Sequence, residues 1–403
     1  MITISKPRIE VIDALRGFAL MGIMLVHCLE HFDALRFAGE AGPVMEWFNT
    51  AAQNFVEFVF LGKAYAIFSM LFGLSFFIQM ENQTDRGVDF RLRFAWRLVL
   101  LYILGHINGL FYSGEILVVY ALFGLALIPL YKLPTKWLFG VCLLLILLVP
   151  SLIHFGWMLA DPEMADTTPA YRAAMGARFR ERMALLSEGS FAEVLSHNFW
   201  RGQVTKWIYY IQLANVSRII GLFTAGMLIG RLGIHKSPEK MVRYAKRGIG
   251  WGLLFFTVFF CVNKLLPLFG IEGAFALRVA RQISSNYVNQ GMMFVIVGLF
   301  ILAYFRLDAA KTLNKLAPVG RISLTNYMMQ SVVGALLFYG FGLGIAPYCG
   351  NAVSVLIGLV LCIGQITFSH WWIKRFYYGP VEYLWRGSTW LSFKSIPFKR
   401  KKE

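Results

Sequence analysis

Apolar residues gather into about ten long runs parted by short polar gaps, over 9–29, 54–80, 93–112, 114–131, 136–159, 207–233, 248–269, 286–305, 322–345 and 351–373. Each approaches the roughly 20 residues an α-helix needs to cross a bilayer. The pattern predicts an all-α, polytopic integral membrane protein built as a single transmembrane domain. Only "YSGE" separates the third run from the fourth, so those two are expected as a tight helical hairpin. The second, "FVEFVFLGKAYAIFSMLFGLSFFIQM", holds Glu57 and Lys63 and is expected to break or tilt. The one sizeable polar segment, 160–206, carries "PAYRAAMGARFRERMALL" with helical apolar spacing and "SFAE" in a capping-box pattern. An amphipathic helix lying on the outer membrane surface is the expectation there, with a substrate lid as the alternative.

Composition agrees. Of 403 residues, 58% are hydrophobic, 16% aromatic and only 15% charged, which excludes an ordinary soluble enzyme. A net charge of +17 in a soluble chain would suggest nucleic acid. Here the basic residues fill gaps between apolar runs, and no basic face with interleaved aromatics appears, so nucleic acid is not an expected partner. Gaps on the amino-terminal side hold 26 Lys and Arg against 10 on the other, six of those ten within the long loop. That asymmetry places both termini in the cytoplasm, as an even number of spans also requires. The basic tail over 387–403, closing on "KRKKE", favours an anionic inner leaflet and makes membrane lipids a partner.

The five cysteines lie scattered in apolar stretches and read as small buried hydrophobes. Asp13 and Arg16 interrupt the first run and no small-residue cleavage site follows, so it is expected as a retained helix rather than a signal peptide. No metal-ligand spacing, nucleotide-binding glycine loop or inverted repeat is visible. The last counts against a conventional secondary transporter.

The chemistry therefore rests on polar residues inside the spans, each costing roughly 2.5–3.5 kcal/mol on insertion scales and usually facing the protein interior. In "VIDALRGFALMGIMLVHCLEHFD", Asp13 and Arg16 are neighbours on one helix face. His27 returns to nearly that face about three turns, roughly 16 Å, further on. Sorted by depth, His27, His106, Glu115 and Lys63 form an outer layer in which an imidazole and a carboxylate can meet, as general acid–base chemistry requires. Asp13, Arg16, Arg97, Asn326, His370 and Glu382 form an inner layer. There Arg93, Arg97 and Arg321 suit bidentate contacts to phosphates. The plainer account is snorkelling for the arginines, a structural ion pair for Asp13–Arg16 and helix–helix hydrogen bonding for a lone His. Asn215, Arg218, Asn289, Gln290 and Gln330 are expected either to bond between helices or to line a cavity.

Several blocks, "RIEVIDALRGFALMGI", "GKAYAIFSMLFG", "LGHINGLFYSGEILVVYALFG", "LFTAGMLIGRLG", "GRISLTNYMMQS" and "RFYYGPVEYLWR", span Arg8 to Arg386. Together they resemble the YeiB-like bacterial membrane proteins (domain of unknown function 418). The resemblance implies a bacterial inner-membrane protein, a family often labelled as transporters. The opening block is also similar to the wider group of transmembrane acyltransferases, including O-antigen and peptidoglycan O-acetylases and heparan-glucosaminide N-acetyltransferase. Their hallmark on the first helix, an Arg, ten residues and a His, is matched by Arg16 and His27. YeiB-like proteins more usually carry Asn at the His27 position and Asp where this chain has Glu115.

The resulting expectation is an acyltransferase that takes an acyl group, acetyl above all, from cytoplasmic acyl-CoA. Asp13, Arg16, Lys63, Arg93, Arg97, Arg321 and Asn326 are its expected binding residues. His27 is the expected general base or transient acyl carrier, oriented by His106 or Glu115, and the acceptor is an extracytoplasmic carbohydrate or a lipid-linked molecule. A small-solute transporter, with Lys63 and the His residues relaying protons, is the alternative.

Overall fold

The computed structural model describes residues 9–34, 39, 42–161, 168–212, 215–271, 273–393 and 396–399. Lys6, Arg8, Arg36 and all but the first residue of "KRKKE" lie outside the described residues. The described chain is helical, with a single antiparallel bridge between Phe376 and Lys399 beside the helices.

Among the described residues, six helical segments are long and apolar enough to span: Glu10–Leu29, Pro43–Thr84, Arg91–Phe111, Pro238–Phe269, Ala274–Arg306 and Asn351–Arg375. The pair Thr135–Ile146 and Val149–Ala160, bent by 42°, makes a seventh if counted as one. The chain is thus a membrane-embedded helical protein. Gln203–Gln212 and Asn215–Arg231 cover most of the described part of the expected run 207–233, but 114–131 and 322–345 fold into shorter pieces, including Leu117–Gly124 and Ser323–Phe338. Their polar residues account for the difference. Glu115 and Asn326 are buried and hydrogen-bonded, and irregular backbone at membrane depth is tolerated where it lies inside protein or beside a cavity.

We label the helices used below α1 (Glu10–Leu29), α2 (Pro43–Val59), α3 (Ala64–Thr84), α4 (Arg91–Phe111), α5 (Leu117–Gly124), α6 (Pro169–Glu188), α7 (Gln203–Gln212), α8 (Asn215–Arg231), α9 (Ala274–Arg306), α10 (Ser323–Phe338), α11 (Asn351–Arg375) and α12 (Pro380–Trp390). The centre of the bundle is α1, whose apolar window is 72% buried, well above that of any other spanning segment. Small residues let its neighbours approach, as membrane helices require where water does not drive association. A methyl group at Gly226 of α8 would sit 1.8 Å from the Met70 carbonyl oxygen of α3, and one at Gly320 would sit 1.9 Å from that of Asp13.

Contacts sort the connections to two ends of the bundle. The near end holds the start of α1, the end of α3, the start of α4 and the α12 segment, joined by Lys236–Glu81 at 2.8 Å and by Arg93 donating to the Thr389 carbonyl at 2.9 Å. The far end holds the end of α1, the α2–α3 break, the α4–α5 hairpin and α6. The expected break of the second run falls at 60–63, where Gly62 adopts φ +76°. The "SFAE" capping box forms as expected, with Glu193 accepting from the Ser190 N–H at 2.8 Å. However, α6 does not merely rest on a surface. Its Leu186 is buried and its Arg182 turns inward to Asp33 and Ser113, both at 2.7 Å.

Candidate functional site

Two cavities lie toward opposite ends. The near-end cavity, about 350 Å³, is lined by Arg16, Arg97, Arg321 and Arg386 over a floor of Phe72, Phe76 and Phe94. Arg16 is held in place rather than snorkelling: it donates to Asp13 at 2.8 Å, to Ser75 Oγ at 2.9 Å and to the Gly320 carbonyl at 3.3 Å. Arg321 lies 3.5 Å from the second Asp13 oxygen. The Arg97 guanidinium stacks 3.9 Å from the Trp385 ring centroid, and its Nε is buried without a partner among the described residues. The four guanidiniums are answered by Asp13, by Glu10 at 3.5 Å from Arg321 and by Glu382, which leaves an excess of positive charge suited to anions.

Glu382 also borders this cavity, but its carboxylate faces α10. It accepts from the N–H groups of Leu324 at 2.7 Å and Thr325 at 3.0 Å, capping the helix start. Burial nevertheless pushes its carboxyl above the usual range.

The far-end cavity is larger, about 780 Å³, and contains His27, Glu30, Asp33, Lys63, Arg182 and Arg218 among its walls. His27 Nδ1 lies 3.2 Å from the Tyr112 hydroxyl, while Nε2 is buried with no partner among the described residues. A ring fixed at one nitrogen and vacant at the other is what a general base requires.

The turn that follows α1 is strained. His31, Phe32 and Asp33 all take positive φ, at 49°, 51° and 70°, on the order of 1–2 kcal/mol each for residues with a Cβ. Tyr339 donating to the Phe32 carbonyl at 2.7 Å, His31 against Ser354 Oγ at 2.6 Å and the Arg182–Asp33 pair hold it there. The strain aims the Asp33 carboxylate into the cavity that His27 lines.

Tyr327 borders both cavities, so one residue forms part of their dividing wall. Its hydroxyl accepts from the Ile116 N–H at 3.0 Å. Beside it, Tyr120 of the near cavity donates to the carbonyl of Tyr65, which lines the far one, at 3.1 Å.

Expectation and structure part at four residues. His106 lines neither cavity; its Nδ1 faces the Tyr102 carbonyl of its own helix at 3.2 Å. Glu115 does not orient His27, because its carboxylate is spent on Lys206 at 2.5 Å and on the Leu117 N–H of α5 at 2.6 Å. Arg93 donates to Thr389 and lies outside the near cavity. Asn326 ties α10 to α11 through Ser369 at 2.9 Å. By contrast, Asp13 pairs with Arg16, and Arg16, Arg97 and Arg321 share one cavity while His27 and Lys63 share the other. Among the described residues no cluster of His, Cys, Asp or Glu has the arrangement to hold a metal ion.

Sequence reasoning passed over Glu30, Asp33, Tyr112 and Arg182. Glu30 had a signal, since it follows His27 by three and so shares its helix face. Desolvation, then the neighbouring carboxylates of Asp33 and Glu57, push its carboxyl up to about 8. An unfolded Glu releases its proton near ~4.3, so between that pH and about 8 the folded chain holds the extra proton. Stability therefore falls as pH rises through this window. Glu30→Gln should melt higher than the wild type at pH 9 and equally near pH 4. Parallel melting profiles would contradict the assignment.

Residues 229–392 match the family described as "Protein of unknown function (DUF418)". Over 99% of this chain and 98% of its own length, the uncharacterized protein YxaH of Bacillus subtilis (strain 168) is 28% identical. The uncharacterized protein YeiB of Escherichia coli (strain K12) is 26% identical over 94% of this chain and 95% of its own. These relatives cover both cavities, whereas the family match begins beyond α1, α3 and α4.

Proposed function

Given that the chain is a YeiB-like membrane protein of the DUF418 family, we propose that it is a transmembrane acyltransferase of the bacterial inner membrane. In this reading the near end faces the cytoplasm, both termini lie there, and the broken segments complete ten membrane passages. Acyl-CoA, in the simplest case acetyl-CoA, enters the near cavity with its phosphates against Arg16, Arg97, Arg321 and Arg386. The thioester reaches past Tyr327 toward His27. An extracytoplasmic carbohydrate or lipid-linked acceptor in the far cavity presents a hydroxyl or amine. His27 Nε2 removes its proton as the acceptor oxygen or nitrogen bonds to the thioester carbonyl. The carbon–sulfur bond then breaks, and the CoA thiolate leaves and takes up the proton as the thiol. Tyr112 performs the orienting role at Nδ1 that the sequence suggested for His106 or Glu115.

The observation that carries this reading is the pairing of a guanidinium-lined cavity with a second cavity bearing a half-vacant imidazole, across a wall shared at Tyr327. CoA binding to the purified chain tests it. Arg97→Gln should weaken binding about tenfold or more, the scale of one lost charge-assisted hydrogen bond. Arg93→Gln, lining neither cavity, should leave it nearly unchanged. Equal effects of the two, or no saturable CoA binding, would count against the proposal.

The same wall favours a second reading, a small-solute transporter, because sites reached from opposite ends across a thin barrier suit alternating access. That reading predicts solute flux into liposomes with no CoA present.

A further inference from the structure

Four cationic side chains of the far cavity are half-buried or deeper, and they fall into two kinds. Lys206 and Arg182 are neutralised by carboxylates, Glu115 at 2.5 Å and Asp33 at 2.7 Å. Lys63 and Arg218 are not. They are 7% and 2% exposed, yet no carboxylate oxygen lies within 4 Å of either among the described residues.

Their partners are neutral acceptors. Lys63 Nζ donates to the Glu57 backbone carbonyl at 2.8 Å. Arg218 donates to the Tyr65 hydroxyl, to Asn286 Oδ1 at 2.9 Å and to the Gly62 carbonyl at 2.6 Å. Its Nε is buried with no partner among the described residues. The Glu57 carboxylate also lines this cavity, where it accepts from Gln53 at 2.8 Å and makes no ion pair with either cation. Glu30, a further acid of this wall, has its carboxyl pushed above the usual range by burial and by its Asp33 and Glu57 neighbours.

One turn sets the two cations side by side. Gly62 takes φ +76°, which sends the next residue, Lys63, into the cavity, while its carbonyl anchors Arg218. Holding two positive charges in a desolvated wall is costly unless a counter-charge arrives. The guanidinium fork beside a compact ammonium is a combination suited to a tetrahedral oxyanion.

We propose that Lys63 and Arg218 form a phosphate-binding subsite in the far cavity, so that the ligand received there carries a phosphate group. As the acceptor of acyl transfer this ligand depends on the function proposed above; as a bound phosphate it does not. The phosphate belongs either to a lipid-linked carrier or to a soluble phosphorylated molecule, and the test separates these.

The full chain in nanodiscs is titrated with inorganic pyrophosphate by calorimetry. A second arm uses nanodiscs containing a long-chain polyprenyl phosphate and reads its displacement of pyrophosphate. Saturable pyrophosphate binding is expected, weakened at least tenfold in Lys63→Gln and retained within about threefold in Lys63→Arg. Arg218→Gln should behave as Lys63→Gln if its melting temperature is preserved; the lysine pair decides the matter if it is not. Competition by the polyprenyl phosphate identifies a lipid-linked ligand, and undisturbed pyrophosphate binding identifies a soluble one. Equal affinity of wild type and Lys63→Gln, or no phosphate binding in either arm, overturns the subsite. Label transfer from acetyl-CoA, measured in parallel, tells the two proposals apart: transfer without phosphate binding sinks only the subsite, and phosphate binding without transfer sinks only the enzyme.

Discussion

His27→Ala is expected to abolish transfer of label from radiolabelled acetyl-CoA, lowering the rate at least a hundredfold while the purified protein stays folded. Positioned general bases contribute roughly 10²–10⁴-fold, and nothing else in the far cavity presents a vacant, fixed imidazole nitrogen. His27→Asn should fail equally, because an amide fills much of the same volume and bonds Tyr112 yet cannot take a proton. The asparagine variant is the sharper of the two. A transporter or a packing role tolerates it, and relatives with asparagine there would then lack this chemistry. Unchanged transfer in His27→Asn would remove His27 from the reaction.

The second large effect concerns stability. Lys206→Met is expected to lower stability by about 3–5 kcal/mol, since it leaves the fully buried Glu115 carboxylate without its counter-charge. In a chain of this size that corresponds to a fall in melting temperature of about 4–6 °C. Glu115→Gln combined with Lys206→Met should recover most of the loss, because the pair is then replaced by neutral groups and the amide oxygen can still accept from the Leu117 N–H. Acyl transfer by the double variant should remain within a few-fold of the wild type. Were Glu115 the residue that orients His27, the double variant would be stable and inactive.

The opening helix was the most legible part of the chain. Asp13, Arg16 and His27 share a stripe by helical arithmetic alone, and the arithmetic does not depend on neighbours. Arg16, Arg97 and Arg321 line one cavity, and His27 and Lys63 line the other. Depth says nothing of which way a side chain turns about its helix axis, and that is where His106, Arg93 and Asn326 departed. Glu115 departed for a different reason: the N-terminus of α5 and Lys206 together offer a buried carboxylate more than an imidazole does. Arg182 was hidden among six basic residues of one loop, and only tertiary contact distinguishes it from its neighbours. Hydropathy draws ten runs where six described segments are long and apolar enough to cross unaided, because it averages over the polar residues at which helices break.

The central claim is that one donor reaches from the arginine-lined cavity past Tyr327 to His27. It is tested most directly by an electron cryomicroscopy map of the full chain with a non-hydrolysable acetyl-CoA analogue. The account predicts density for the phosphates beside Arg16, Arg97 and Arg321, with the arm crossing at Tyr327 and the acyl end next to His27. An analogue lying elsewhere on the molecule, or a wall at Tyr327 that stays shut with the acyl end on the arginine side, would contradict it.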